Sequence, residues 1–308
     1  MTLALLFPGQ GSQHVGMGSS LATGEPVASE VFAEADETLG VALSALMRDG
    51  PSEELTETQN AQPALLVHSV AALRVLGIRH PAAMTPAFGA GHSLGEFSAY
   101  VASGTVTFAD ALRAVRLRGK LMSEAGKDRP GTMAAILGLN VRDVREVCEK
   151  VSRGVCVPAN FNSAGQIVVS GDLSGVEEGI VLAKEAGAKR AVKLNVSGAF
   201  HSPLMEPAAE ELKRFLDDIE FSDPTFPVIA NATADLVTTG EQARTLLVRQ
   251  LVSPVRWTES IEVMTSSGVN RFLELGSGKV LTTLNRRNAK GLQSSALGEP
   301  EDFNNLEV

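Results

Sequence analysis

Residues 87–103 read Ala-Phe-Gly-Ala-Gly-His-Ser-Leu-Gly-Glu-Phe-Ser-Ala-Tyr-Val-Ala-Ser. The first five form a short apolar run with the character of a strand, and a helix-like segment begins at Glu96. Between them stands the G-x-S-x-G pattern Gly91-His92-Ser93-Leu94-Gly95, a nucleophile elbow in the strand–turn–helix setting that such a turn needs. Its glycines permit a sharp, strained turn that lifts the Ser93 hydroxyl out of the strand. The helix that follows aims its positive end at any oxyanion formed there, so the Leu94 amide is a natural oxyanion donor.

Short apolar strands and amphipathic helices alternate outward from this elbow. Strands are expected at Leu3–Phe7, 87–91, 225–230 and Arg271–Leu275, and a helix at 63–76 with Pro63 in its first turn and Gly77 just past its end. His68 lies among Leu65, Leu66 and Val70 of that helix and reads as structural. The fold class is α/β with a mainly parallel sheet. Residues 126–198 break the pattern: strand 132–137, helix 141–151, strands 155–160 and 166–171, helix 173–186 and strand 189–195. That βαββαβ order is ferredoxin-like and is expected to be a small domain inserted in a larger one formed by residues 1–125 and 199–297. The polar, acidic residues 298–308 are expected to be a loose tail.

Composition narrows the function classes. With 308 residues and 44% hydrophobic content the chain can bury a sizeable core. A net charge of −9, without Lys/Arg blocks interleaved with aromatics, argues against nucleic acid as a partner. The opening run Leu3–Phe7 breaks at Pro8-Gly9 with no basic segment before it, which is a strand rather than a signal peptide. No uninterrupted apolar stretch reaches the roughly 20 residues of a membrane span, so neither a membrane nor an address outside the cytoplasm is expected. Cys148 and Cys156 are too few for a disulfide framework or metal cluster and read as reduced core thiols. No metal is expected.

A serine nucleophile needs a base. Of the five histidines, His201 stands in Gly198-Ala199-Phe200-His201-Ser202-Pro203, where Ser202 can cap and Pro203 can open a helix, leaving the imidazole at a loop–helix junction able to face the elbow. Spacing alone shows no third, orienting group. The loop Phe7-Pro8-Gly9-Gln10-Gly11-Ser12-Gln13 leaves the first strand at the ligand-binding end of such sheets. His14 stands where a dinucleotide fingerprint would need glycine. Gly276-Ser277-Gly278-Lys279 lacks the parts of a phosphate-binding loop.

Arg118 belongs to a helix that starts after Thr107, with Asp110 completing a capping box, and is expected to run to about residue 124. At about 100° per residue it shares a face with Ala111, Val115 and Met122, opposite Arg113, Arg116 and Lys120, so it points inward. A guanidinium there needs an anion. An internal Asp or Glu and the free carboxylate of a substrate both satisfy that need.

Together these residues resemble the malonyl-CoA:acyl-carrier-protein transacylase family, relatives of the acyltransferase domains of polyketide and fatty-acid synthases. The match spans nearly the whole chain: FPGQGSQ at 7–13, GHSLGE at 91–96, RLRGK at 116–120, NFNS at 160–163, GAFHS at 198–202, QLVSPVRW at 250–257 and ELGSGKVL at 274–281. The resemblance implies a hydrolase-like large domain with the ferredoxin-like insertion, and ping-pong transfer of malonyl from coenzyme A to the thiol of acyl carrier protein through an ester on Ser93. It also implies His201 as base, backbone amides of Gln10 and Leu94 as oxyanion hole, and the backbone carbonyl of Gln250 orienting the imidazole. Arg118 would pair with the malonyl carboxylate, Asn162 would line the substrate site, and Phe200 would disfavour an α-methyl branch. Coenzyme A thioester is then a substrate and no cofactor is implied. Ser253 departs from the asparagine of many relatives. Carrier proteins of such systems are acidic, so docking on this acidic chain needs a local basic patch, for which Lys189-Arg190 and Arg286-Arg287, after the last helix, are the candidates. A serine hydrolase would share the elbow and His201 but gain nothing from a buried Arg118. A silent carrier-binding subunit would not need Ser93 and His201.

Overall fold

The computed structural model of the chain describes residues 2–196, 198–304 and 306. Strands β1 (Leu3–Phe7) and β2 (Phe88–Gly91) pair in parallel. The next four, β3 (Gly131–Leu137), β4 (Cys156–Ser163), β5 (Gln166–Asp172) and β6 (Arg190–Lys193), form a separate sheet. The chain then returns to the first sheet with β7 (Val228–Ile229), β8 (Leu236–Val237), β9 (Arg271–Leu275) and β10 (Gln293–Leu297). The six-stranded order is β10-β9-β1-β2-β7-β8, parallel except at β8. All five residues of β1 are buried, as a parallel strand covered on both faces requires.

The four-stranded order is β4-β5-β3-β6, antiparallel throughout, with helices Val141–Lys150 and Leu173–Glu185 between its strands. Strand alternation gives this sheet two different faces. Ala134, Ile136, Ile167 and Val169 pack with Val144, Val147 and Val176 of its own helices. Met133 and Val168 point the other way, into the core shared with the large sheet. Cys148 and Cys156 are free, with Sγ atoms 3.9 Å apart on the helix side.

Several expectations are corrected. The helix expected at 63–76 spans Thr58–Arg79, so Pro63 is interior rather than first, and Gly77 is helical. Proline cannot donate to the carbonyl four residues back. That carbonyl, of Gln59, instead accepts from Arg116 Nη1 at 2.7 Å, which relieves the cost. This helix is long and apolar enough to cross a membrane by length and composition, but it is the buried central helix of the large unit. The Arg118 helix runs Phe108–Asp128, longer than expected, with Asp110 N donating to Thr107 Oγ1 at its start. The strand expected at 225–230 shrinks to β7, because Pro227 has no N–H to give the ladder. Arg286 and Arg287 lie inside helix Val280–Asn288 rather than after it. Residues 298–304 are not loose. A 3₁₀ turn, Pro300–Phe303, buries Phe303, while the Gly298 carbonyl accepts from His68 Nε2 at 2.9 Å and that of Phe303 from His80 Nε2 at 2.7 Å. Residues 305, 307 and 308 of the expected tail lie outside the described residues.

Candidate active site

The elbow forms where β2 ends. Ser93 has φ 52°, a left-handed conformation that costs a non-glycine residue about 1–3 kcal/mol and persists only where its surroundings enforce it. Here they do. A Cβ on Gly91 would run into the Gly95 backbone, and one on Gly95 into the Phe7 carbonyl, so the helix Gly95–Ala102 can start against β1 only with glycine at both places. Asn231, just beyond β7, completes the clamp: its Oδ1 accepts from Ser93 N at 2.6 Å and its Nδ2 donates to the Gly91 carbonyl at 2.7 Å.

Ser93 Oγ lies 2.8 Å from His201 Nε2, and His201 Nδ1 lies 2.9 Å from the backbone carbonyl of Gln250. A carbonyl can only accept, so Nδ1 carries the proton and Nε2 is free to take one from serine. His201 also has a left-handed φ of 57°, and Ser202 caps the turn Pro203–Met205 by accepting from Leu204 N. Burial, together with the nearby Arg118 charge, pushes the imidazole down to about 3, so it is neutral at ordinary pH.

Arg118 is 1% exposed, on the inward face with Ala111, Val115 and Met122. Its guanidinium donates to Gln62 Oε1 at 2.7 Å, Gln250 Oε1 at 2.9 Å and Ser93 Oγ at 3.1 Å. Among the described residues no carboxylate lies within salt-bridge distance, and its Nε meets no acceptor. The nearest acid is one side chain away: Glu96 Oε2 accepts from Gln250 Nε2 at 2.8 Å. Burial lowers Arg118 to about 10, still charged at neutral pH.

Ser93, His201 and Phe200 line one cleft of about 350 Å³ together with Met133, Asn162 and Val168 of the small sheet. Gln10 sits at its edge, and a second cleft of about 420 Å³, lined by Lys120 and Lys127 among acids, continues outward past Gln10, Asn195 and Val196. Among the described residues neither the Gln10 nor the Leu94 amide finds an internal acceptor, leaving both for a ligand. Asn162 Oδ1 is held by His92 Nε2 at 2.9 Å, and the His92 ring rests on Trp257 with centroids 5.6 Å apart.

The two basic pairs are exposed but separated. Arg286 and Arg287 ride on the helix whose Asn288 donates to the Asn162 carbonyl at 2.8 Å, close to the cleft. Arg190 pairs with Leu137 at the far end of β3, four positions along β6 from Leu194, or about 13 Å by strand rise. Sequence reasoning missed Glu96, Gln62 and Asn231. Each is a buried polar residue; Glu96 and Asn231 stand among apolar neighbours, and that mismatch was the available signal, whereas Gln62 closes the mostly polar stretch 58–62 and carried none.

The Acyl transferase domain family matches residues 4–297. The chain is 48% identical over 301 residues to a malonyl CoA-acyl carrier protein transacylase of Bacillus subtilis (strain 168), covering 97% of this chain and 94% of the other. An acyl carrier protein S-malonyltransferase from Vibrio cholerae superposes with a TM-score of 0.95 at 45% identity, covering both chains in full at 100%. A malonyl-transacylase solved in complex with a type II polyketide-synthase acyl-carrier protein also superposes at 0.95, with 45% identity and 98% of each chain covered.

Proposed function

Because the chain belongs to the acyl transferase domain family, and within it to the malonyl CoA-acyl carrier protein transacylases, we propose that it moves malonyl from malonyl-CoA to the phosphopantetheine thiol of an acyl carrier protein through an ester on Ser93. His201 Nε2 takes the Ser93 proton as Oγ attacks the thioester carbonyl. The resulting oxyanion is received by the Gln10 and Leu94 amides, and the coenzyme A sulfur leaves with the proton from Nε2. The second half reverses this: Nε2 deprotonates the carrier thiol, which attacks the ester, and Ser93 Oγ regains its hydrogen. No cofactor or metal enters.

The observation that carries this reading is Arg118, a buried cation 3.1 Å from the nucleophile and without a carboxylate partner among the described residues. A malonyl carboxylate supplies that partner through a charge-assisted fork. It also offsets the positive charge that depresses His201, so an anionic acyl group strengthens the base that must activate serine. Phe200, in the cleft lining, disfavours an α-methyl branch, and Asn162 lines the same cleft. Residues 126–198 act as a ferredoxin-like small domain over a hydrolase-like body of residues 1–125 and 199–297, in the cytoplasm.

Brief exposure to malonyl-, methylmalonyl- and acetyl-CoA followed by intact-protein mass tests this directly. One malonyl adduct that disappears in Ser93→Ala, with slower labelling by the other two, is expected. Rapid release of malonate without a thiol acceptor and without an adduct would instead identify a hydrolase.

A further inference from the structure

Glu96 is fully buried, in the first turn of helix Gly95–Ala102, three residues after the nucleophile. Its Oε2 accepts from Asn231 N at 2.9 Å and from Gln250 Nε2 at 2.8 Å, and its Oε1 from Tyr100 Oη at 3.3 Å. The first two partners lead to every reacting group. Asn231 holds the Ser93 amide. Gln250 donates to the Ser93 carbonyl at 3.0 Å, offers Oε1 to Arg118, and holds His201 through its backbone.

We infer that Glu96 is the positioning residue for acyl selection: its carboxylate fixes the Gln250 amide with Oε1 toward Arg118, which presents the guanidinium to the carboxylate of the acyl group. This rests on the role of Arg118 proposed above. A side-chain amide has two orientations. A carboxylate only accepts, so it demands Nε2, and the guanidinium only donates, so it demands Oε1. The reversed amide would set donor against donor and acceptor against acceptor. The Ser93 carbonyl, which also only accepts, makes the same demand on Nε2, so a neutral group at position 96, which can donate as well as accept, removes one of the three constraints on the amide.

The same logic makes selection depend on pH. Burial pushes Glu96 up to about 7, against the hydrogen bonds from Asn231, Gln250 and Tyr100 and the Arg118 charge. The shifts on the other titratable groups around it leave or carry them away from neutrality. Arg118, on helix Phe108–Asp128, stays charged, and Tyr100 on its own helix lies well above its ordinary value. His201 is at about 3, and burial lowers both His92 in the elbow and His68 on helix Thr58–Arg79. Above about pH 7 Glu96 is ionised and adds its demand to those of Arg118 and the Ser93 carbonyl; as pH falls through 7 it protonates and that one constraint is weakened. The malonyl carboxylate, in the ordinary range near 4, stays ionised throughout.

The test is the acylation rate of the full chain with malonyl-CoA and with acetyl-CoA across about pH 5.5–8.5, for wild type, Glu96→Gln and Glu96→Asp. The wild-type malonyl-to-acetyl ratio is expected to fall about tenfold from the alkaline to the acid end. In E96Q the ratio is low and flat with pH, and E96D recovers part of the slope. A flat wild-type ratio, or E96Q lowering both rates alike while the ratio keeps its slope, overturns the assignment. The wild-type profile decides by itself if E96Q does not fold. Absence of any malonyl adduct in wild type removes the parent function as well, whereas an adduct with a pH-independent ratio removes only the role of Glu96.

Discussion

The two walls of the acyl cleft are built by different means. On the large-sheet side, the half-buried Ser93 and the buried His201 line the cleft and are tied by directional hydrogen bonds to the buried Arg118 and Gln250 behind them. On the small-sheet side, Met133, Val168, Leu194 and Val196 offer apolar surface whose contribution depends on volume, interrupted by Asn160, Asn162 and Asn195. The first wall is tightly specified, because its polar atoms other than Arg118 Nε have specific partners and an orphaned one is costly. The second tolerates exchange of similar shapes. Chemistry and charge selection therefore belong to the first wall, and the fit of the acyl chain belongs to the second.

The harshest way to break that division is at the nucleophile. Ser93→Ala should abolish the acyl-enzyme, and His201→Ala should slow its formation by about 10²–10⁴-fold, read by intact mass and single-turnover kinetics. Wild-type rates in His201→Ala would place the base elsewhere. Next comes Arg118→Ala. Malonyl transfer should drop at least about tenfold while acetyl transfer holds or rises, since removing the cation removes the penalty on a neutral acyl group. Arg118→Lys should recover only part of this, having charge without the fork. Equal losses for both substrates with a lowered Tm would make the arginine structural.

The smallest effect sharpens the comparison at the rim. Reversing Arg286 and Arg287, beside the cleft, should raise KM for an acyl carrier protein several-fold, about the scale of a few rim charges, and leave acylation from malonyl-CoA untouched. Reversing Lys189 and Arg190, about 13 Å along the strand from the cleft, should do less. Equal shifts for both pairs would extend the docking surface over the small sheet, and no shift for either would move it elsewhere.

The residues legible in sequence were those whose local pattern already contained their reason. The elbow glycines, the Ser202-Pro203 turn start and the inward position of Arg118 follow from backbone geometry and helical angle, and the structure places them accordingly. What escaped depends on contacts across long sequence distances. Glu96 and Asn231 are 135 residues apart, and nothing near either announces the other. The central helix was read too short because Pro63 looks like a first-turn residue until Arg116 is seen taking the carbonyl that proline leaves free. Residues 298–304 look loose from their polar composition; burial of Phe303 and the bonds from His68 and His80 outweigh it.

One seam has consequences for timing. Strand β4, which carries Asn160 and Asn162, is sewn to the large unit by backbone bonds from Val255 N to the Ala159 carbonyl and from Phe161 N to the Val255 carbonyl, at 2.8 and 2.9 Å. Thr258 and Asn288 add further stitches, to the Phe161 and Asn162 carbonyls. A swing of this edge as a lid would have to break those four bonds first. Discrimination between acyl groups is then a property of the edge in its fastened state.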